Sequence, residues 1–545
     1  SGVDLQQWKH DWLNESFATQ MAAMAMREIT EFDDTWHGFF VNAKRTAYAR
    51  DSQVTTHPIE MPIASTRDFF TVFDAITYQK GSSVLKQLAH YVGEENYRRG
   101  VSAYLKDFSY ATTELDDFVG HIERASGVDL QQWKHDWLNE AGYDTLQVRA
   151  DCGDGVLKAL HILQTAAAEH PILRAHRVEV ALHAADGTGT PLAATVIPAA
   201  IAGADTVLPD AAGLPCPALV NPNYNDWTYA KFALDEAAAA GLEDAIARLP
   251  EPLERSMFLA ALYDRALAGQ MPIAAYVRQA SELAQGDDNV RVQQQISATL
   301  ISAVDLMQRL RPETAEALAT LLPALEEMAL SQAGSGAGDD IKRIGLNTFL
   351  GIVGSEHGLA TVERLLDGDE RIPGIELSAD LRWQLLSVLS AAGRPGAAAR
   401  LALERQADTS DYGAKRALTA AAAWPELANK TAWLDELQHP DAVTGLARQR
   451  AVMAGLFPAG QTELQLASLD RILDGLPALA RTADPYFLSS YASVLLTPMC
   501  RAASVALLET ALDAQAGHLD PTSLRFLREA EQADRECLAL RHARQ

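Results

Sequence analysis

Two stretches near the start of the chain carry side chains that could take part in chemistry. Residues 12–19, W-L-N-E-S-F-A-T, contain Glu15, and residues 73–81, F-D-A-I-T-Y-Q-K-G, contain Tyr78. A carboxylate can bind a metal ion, and a phenol with an ordinary pKa of about 10 can donate a hydrogen bond to a developing oxyanion. Both residues also have a structural interpretation: Glu15 would lie in the first turn of a helix capped by Asn14, and Tyr78 would be a core aromatic.

The segments between these stretches indicate a family. The helical run M-A-A-M-A-M-R-E follows the first stretch, and H-P-I-E-M-P-I, residues 57–63, precedes the second. In this order the segments resemble the second half of the catalytic domain of the aminopeptidase N family, zinc enzymes that remove single residues from the amino termini of peptides. The resemblance implies that Glu15 is the third zinc ligand and that Tyr78 stabilises the oxyanion of the tetrahedral intermediate.

The first half of that zinc site is missing from the printed sequence. In the family it starts with H-E-x-x-H, in which two His bind the metal and the Glu is the general base. No such motif occurs here, and no two of the 14 His are four residues apart. His10 and His135 each precede an Asp, which could suggest a pair of metal ligands. Neighbouring side chains on a helix point about 100° apart, so we interpret both His as lying on a solvated helix face. Catalytic zinc needs about three protein ligands. We therefore expect zinc in a complete enzyme of the family, and neither zinc nor activity in this chain alone.

The beginning of the chain repeats a later segment. Residues 1–15 and 126–140 are identical, S-G-V-D-L-Q-Q-W-K-H-D-W-L-N-E. The second copy resembles the end of the family's catalytic domain, so we interpret the first copy as displaced. We expect Trp133 and Trp137, with their native neighbours, to be more buried than Trp8. Because the chain starts with Ser and lacks a charged, then apolar leader, we expect its natural amino terminus to lie elsewhere.

Hydrophobic periodicity predicts a mainly α protein with a small β-sandwich. Apolar residues recur at helical spacing up to the low 140s, alternate in short runs after that, and then return to helical spacing to the end. We predict three domains: the helical half of a thermolysin-like catalytic domain at 1–143 (with 1–14 a displaced copy of 126–139), a β-sandwich at 144–225, and a C-terminal α-helical solenoid at 226–545.

Composition narrows the class of partner and the compartment. The formal net charge of −26 argues against nucleic acid and anionic membranes as partners, and no apolar run approaches the ~20 residues of a membrane helix. The four cysteines, Cys152, Cys216, Cys500 and Cys537, show no C-x-x-C spacing and fit neither a disulfide framework nor a zinc knuckle. These features predict a reducing, cytoplasmic location.

Three functional hypotheses follow. The first is a portion of an aminopeptidase N-like zinc peptidase whose complete form acts on peptides. The second is a non-enzymatic α-solenoid that binds peptides or proteins, and the third is half of a split enzyme completed by another polypeptide. In each case helix packing should bring Glu15 and Tyr78 near one another at the open edge of the helical region. The uncovered groove there should expose apolar surface and favour self-association.

Overall fold

The computed structural model describes residues 11–61, 73–184, 194–335, 338–439 and 445–543. The chain forms two units, residues 1–265 and 266–545. The first unit contains helices and two small β-sheets, and the second is helical. The mainly α class with a small β region and a C-terminal helical domain is therefore confirmed.

Helices form the amino-terminal part of the first unit. They are α1 (Asp11–Ile29), α2 (Thr35–Gly38), α3 (Arg45–Asp51), α4 (Gly81–Val92), α5 (Glu94–Asp107), α6 (Leu115–Ser126) and α7 (Gln131–Lys134), with π-helical segments at Phe39–Lys44, Ile76–Lys80 and His135–Asn139. Their apolar faces share one core, to which Trp12 and Ile76 belong. Trp133 and Trp137 are buried in it. Trp8 and His10 lie outside the described residues, so the comparison with Trp8 stays a prediction.

The described residues after these helices contain seven strands: β1 (Asp144–Gly153), β2 (Val156–Ala166), β3 (His176–Ala184), β4 (Ala194–Ile201), β5 (Asp205–Val207), β6 (Pro217–Tyr224) and β7 (Ala230–Ala233). One sheet has the order β5-β2-β1-β7 and the other β4-β3-β6. Neighbours are antiparallel except β1 and β7, which are parallel with Asp144 opposite Ala230. Strand β7 lies inside the range 226–545 that was predicted to be wholly helical, so that part of the prediction is wrong; four residues are too few to show alternation.

The remaining described residues form helices joined by short connections. The helices are α8 (Glu236–Ala245), α9 (Pro252–Leu267), α10 (Ile273–Gly286), α11 (Val290–Arg309), α12 (Ala315–Ala333), α13 (Asp339–Ile352), α14 (Glu356–Asp367), α15 (Ala379–Ala391), α16 (Ala397–Ala407), α17 (Asp411–Ala422), α18 (Leu427–Gln438), α19 (Leu446–Leu456), α20 (Thr462–Thr482), α21 (Pro485–Leu495), α22 (Ala502–Gln515) and α23 (Pro521–His542). Ser378 and Asp520 accept hydrogen bonds from backbone N–H groups at the starts of α15 and α23, as their positions predict. No helix within the described ranges is long and apolar enough to cross a membrane.

All four cysteines are paired, so the expectation that they fit no disulfide framework is wrong. Cys152 is bonded to Cys216 and Cys500 to Cys537, with Cα–Cα distances of 5.9 and 4.8 Å. The amide of Cys216 donates to the carbonyl of Gly155, 3.0 Å away, which brings Cys216 to the β1–β2 turn beside Cys152. Strand pairing creates this proximity, and linear spacing does not reveal it.

Candidate functional site

Glu15 lies on α1 at the edge of the helical core. Trp12 and Leu13 are buried, Asn14 is exposed and Glu15 is half-buried. The prediction that Asn14 caps the helix is wrong, because α1 begins before it and continues through it. Glu15 therefore lies beyond the first turn, and the helix-dipole contribution expected there does not explain its position.

Tyr78 lies in the π-helical segment Ile76–Lys80, directly before α4. Asp74 lies two residues before the segment; its Oδ1 accepts a hydrogen bond from the Ile76 amide at 2.8 Å, and its carbonyl accepts one from the Tyr78 amide at 3.2 Å. The rings of Phe73 and Tyr78 pack edge to face, with 5.0 Å between centroids. Asp74 and Phe73 thus fix both the backbone and the ring of Tyr78.

The ionisation of Asp74 is set by its neighbours. Burial acts to raise the pKa of this carboxyl, but hydrogen bonds and positive charge from His57 and Arg50 outweigh it and lower the pKa to about 2. Asp74 is consequently a carboxylate at neutral pH and keeps its acceptor role at the start of the segment.

The structure brings the two predicted site residues together. Ser16 and Thr77, their chain neighbours, are joined by a hydrogen bond of 2.6 Å. Partial burial, then the negative charge and hydrogen bonding of the nearby Glu15 carboxylate, raise the pKa of Tyr78. The prediction that these side chains come near one another is confirmed. Their roles as oxyanion donor and metal ligand stay predictions.

A close helix crossing creates this proximity. The Ser16 hydroxyl donates to the Thr77 carbonyl at 2.6 Å, and Ser16 is fully buried. A Cβ atom on Gly81 would overlap Ser16 Oγ and lie 3.0 Å from Ser16 Cβ, so only glycine fits at this crossing. Sequence reasoning missed Ser16 and Thr77, and the glycine of Y-Q-K-G was the one signal of a close approach.

A buried ion pair anchors the other end of the Tyr78 segment. Lys80 lies 2.9 Å from Asp51 and donates to the Gly142 carbonyl at 2.9 Å, and the Tyr229 hydroxyl donates to Asp51 at 3.3 Å. Burial lowers the pKa of Lys80, and Asp51 partly offsets this effect. Sequence reasoning missed this pair because its members lie on separate elements.

The described residues do not form a zinc site by themselves. They contain no group of three or more His, Cys, Asp or Glu side chains that could hold a metal ion. Glu15 supplies one carboxylate, and the group that interacts with it is the phenol of Tyr78. Catalytic zinc needs about three protein ligands. His135 lies 3.0 Å from Asp136 and its side chain is 54% exposed, which agrees with the solvated interpretation.

Comparison with known proteins places the chain in a family. Residues 2–141 match the Peptidase family M1 domain, and residues 219–534, more than half of the chain, match the ERAP1-like C-terminal domain. The chain belongs to the M1 aminopeptidase family. Aminopeptidase N of Streptomyces lividans is 32% identical to the M1 chain over 489 residues, which cover 87% of this chain and 56% of that protein. Leucyl aminopeptidase of Saccharolobus solfataricus is 40% identical over 146 residues, 27% of this chain and 19% of the relative.

A eukaryotic relative matches a similarly short part of the M1 chain. Aminopeptidase 2, mitochondrial, of Saccharomyces cerevisiae is 33% identical over 153 residues, 28% of this chain and 16% of the relative. The chain spans about half the length of the Streptomyces relative and less of the other two. Glu15 and Tyr78 both lie inside the segment that matches the M1 domain.

Proposed function

We propose that this chain is the carboxyl-terminal portion of a zinc aminopeptidase that removes amino-terminal residues from peptides. The observation that carries the proposal is the proximity of Glu15 to Tyr78, the two positions that the family resemblance assigns to metal binding and oxyanion stabilisation, whose chain neighbours Ser16 and Thr77 are hydrogen-bonded over 2.6 Å. In a complete centre Glu15 would be one of about three ligands. Tyr78 would donate a hydrogen bond from its hydroxyl to the developing oxyanion, an interaction that typically contributes about 3 kcal/mol.

The chain alone should hold no zinc and should not hydrolyse amino-acyl anilides, since H-E-x-x-H is absent from it. Elemental analysis of the purified chain together with an anilide assay tests this. Near-equimolar zinc, or hydrolysis that a chelator abolishes, would overturn the expectation of an inert chain.

A split enzyme is the variant of this proposal in which a second polypeptide supplies the missing ligands. The match of residues 2–141 to the M1 domain without its metal motif supports it. The test adds an amino-terminal fragment that carries H-E-x-x-H and measures zinc per complex. Zinc bound by the mixture but by neither part alone supports completion, and loss of that zinc in Glu15→Gln assigns the ligand.

A peptide-binding α-solenoid is the second candidate function. Helices α11, α13, α15, α17, α19, α21 and α23 each contact the next in that series, the neighbour pattern of a solenoid. A groove of about 580 Å³ runs along the carboxyl ends of α13, α15, α17 and α19. Fluorescence anisotropy with labelled peptides tests binding. Ala392→Trp, which fills the groove, should abolish it, and Ala398→Trp, on an exposed face, should not.

Compartment and self-association are proposals as well. The cytoplasmic prediction rested on unpaired cysteines, and two disulfides instead favour folding in an oxidising compartment. Self-association between copies is supported by Met26, Ile29 and Phe32 near the end of α1, which are 40%, 81% and 54% exposed. Sedimentation velocity should show a dimer that Ile29→Lys converts to monomer, and a monomer at all concentrations would contradict this.

A further inference from the structure

A hydrogen bond lies next to the contact between Glu15 and Tyr78 and joins the chain neighbour of one residue to the chain neighbour of the other. Ser16 follows Glu15 on α1, and Thr77 precedes Tyr78 in the π-helical segment. The Ser16 hydroxyl donates to the Thr77 carbonyl over 2.6 Å, and Ser16 has no exposed surface. Each site residue is therefore one peptide unit away from a buried hydrogen bond that joins its element to the other.

Gly81 determines whether this bond can form. It begins α4 with ordinary helical geometry, so its backbone does not require glycine. A Cβ atom there would overlap Ser16 Oγ, lie 3.0 Å from Ser16 Cβ and meet Trp12 at 3.5 Å, an ordinary contact. The Ser16 side chain is thus the group that a Cβ atom at Gly81 would clash with, and the serine at position 16 requires the glycine at position 81.

We propose that Ser16 and Gly81 are positioning residues, which hold the Glu15 carboxylate against the Tyr78 hydroxyl at a fixed separation. Their value to catalysis rests on the proposed function, but the geometric claim does not. Because the hydrogen bond is short, buried and adjacent to both site residues, its loss lets α1 shift along the π-helical segment and separates the pair.

The test uses the full chain with 13C at the ζ carbon of tyrosine, observed by NMR at constant neutral pH. The Tyr78 resonance is assigned by its disappearance in Tyr78→Phe, and Glu15→Ala gives the chemical shift of Tyr78 without its partner. Ser16→Ala should move the resonance at least halfway toward the Glu15→Ala position. Ser83→Ala is the matched control, because Ser83 is also buried and donates to a backbone carbonyl, that of Gln79, at 2.7 Å.

A double substitution separates positioning from simple destabilisation. Alanine is a better helix former than glycine, so a lower melting temperature in Gly81→Ala can arise only from the contact with Ser16. Ser16→Gly combined with Gly81→Ala removes the overlap, and the melting temperature should recover relative to Gly81→Ala. An unmoved Tyr78 resonance in Ser16→Ala, an equal movement in Ser83→Ala, or no recovery in the double variant would each overturn the proposal.

These readouts need neither zinc nor turnover, so they separate this proposal from the proposed function. If the chain completed with an H-E-x-x-H fragment stays inactive while the resonance moves as expected, the function fails and the positioning stands. If the completed enzyme is active, Ser16→Ala should lower kcat at least tenfold with little change in KM. Activity with an unchanged kcat in Ser16→Ala would overturn the positioning alone.

Discussion

Arg50 and Asp74 form a largely buried ion pair, with 2.5 Å between the guanidinium Nε and the carboxylate, directly before the segment that carries Tyr78. The same carboxylate accepts the Ile76 amide at 2.8 Å, so one acidic residue both neutralises Arg50 and starts the π-helical turn. His57 Nε2 lies 3.4 Å from it and adds a second basic partner. The orientation of Tyr78 thus depends on an electrostatic contact outside the candidate site.

Asp74→Asn should lower the free energy of unfolding by about 2 kcal/mol at neutral pH, and this difference from wild type should disappear as the pH falls from about 4 to about 2. The folded-state pKa of Asp74, about 2, lies below the unfolded value near 4, so the stabilisation is complete above the unfolded pKa and is lost on the way down to the folded one. Urea unfolding at several pH values measures it. Asp116→Asn, at a mostly exposed position, is the control, and a difference that grows toward low pH would contradict the assignment.

Removing the Tyr78 hydroxyl should affect chemistry far more than stability. In an assembled, active complex Tyr78→Phe should lower kcat by about 10²–10³ with little change in KM, because it deletes one oxyanion donor. Steady-state kinetics measures this, and Tyr110→Phe, at a fully exposed position, should have no effect. An unchanged kcat would assign Tyr78 a structural role.

Lys80→Met should destabilise the first unit by about 3–5 kcal/mol, because it leaves the buried Asp51 carboxylate without its charged partner. The matched control is Lys134→Met, which breaks the 2.6 Å pair with the exposed Asp116 and should cost about 1 kcal/mol or less. Urea denaturation followed by circular dichroism compares the two. Equal losses would show that burial of the Lys80 pair does not matter.

Opening the Cys152–Cys216 disulfide should also destabilise the first unit. The cross-link spans 64 residues, and chain entropy assigns such a loop about 4 kcal/mol of stabilisation. Alkylation and mass spectrometry of the unreduced, denatured chain should find no free thiol, and the double Ser variant should unfold at lower urea concentration. Four alkylated cysteines without reductant would restore the prediction of a reducing compartment.

The sequence predicted the features that local patterns determine. W-L-N-E and Y-Q-K-G located Glu15 and Tyr78, and Ser378 was recognisable as a cap because a serine before an apolar helical run is a local signal. It did not predict the Ser16–Thr77 hydrogen bond, since that contact exists only once two helical elements cross. Burial creates such long-range polar contacts, and no spacing rule encodes them.

Pairing of the cysteines escaped prediction for a related reason. Cys152 lies near the end of β1 and Cys216 directly before β6, and they meet because the β1–β2 turn folds back beside Cys216.

The prediction that Asn14 caps α1 failed for a different reason. A good capping residue was taken as the start of α1, but the apolar contacts of Trp12 and Leu13 extend the helix past it.

The hydrogen bond from Lys80 to the Gly142 carbonyl links the β-sheet region of the first unit to the segment that carries Tyr78. Gly142 lies two residues before β1, and Tyr78 lies two residues before Lys80. Because Lys80 is fully buried and also paired with Asp51, we expect a displacement of β1 to alter the position of Tyr78. Substitutions in the sheet should therefore change the orientation of the phenol while leaving every residue of the candidate site unchanged.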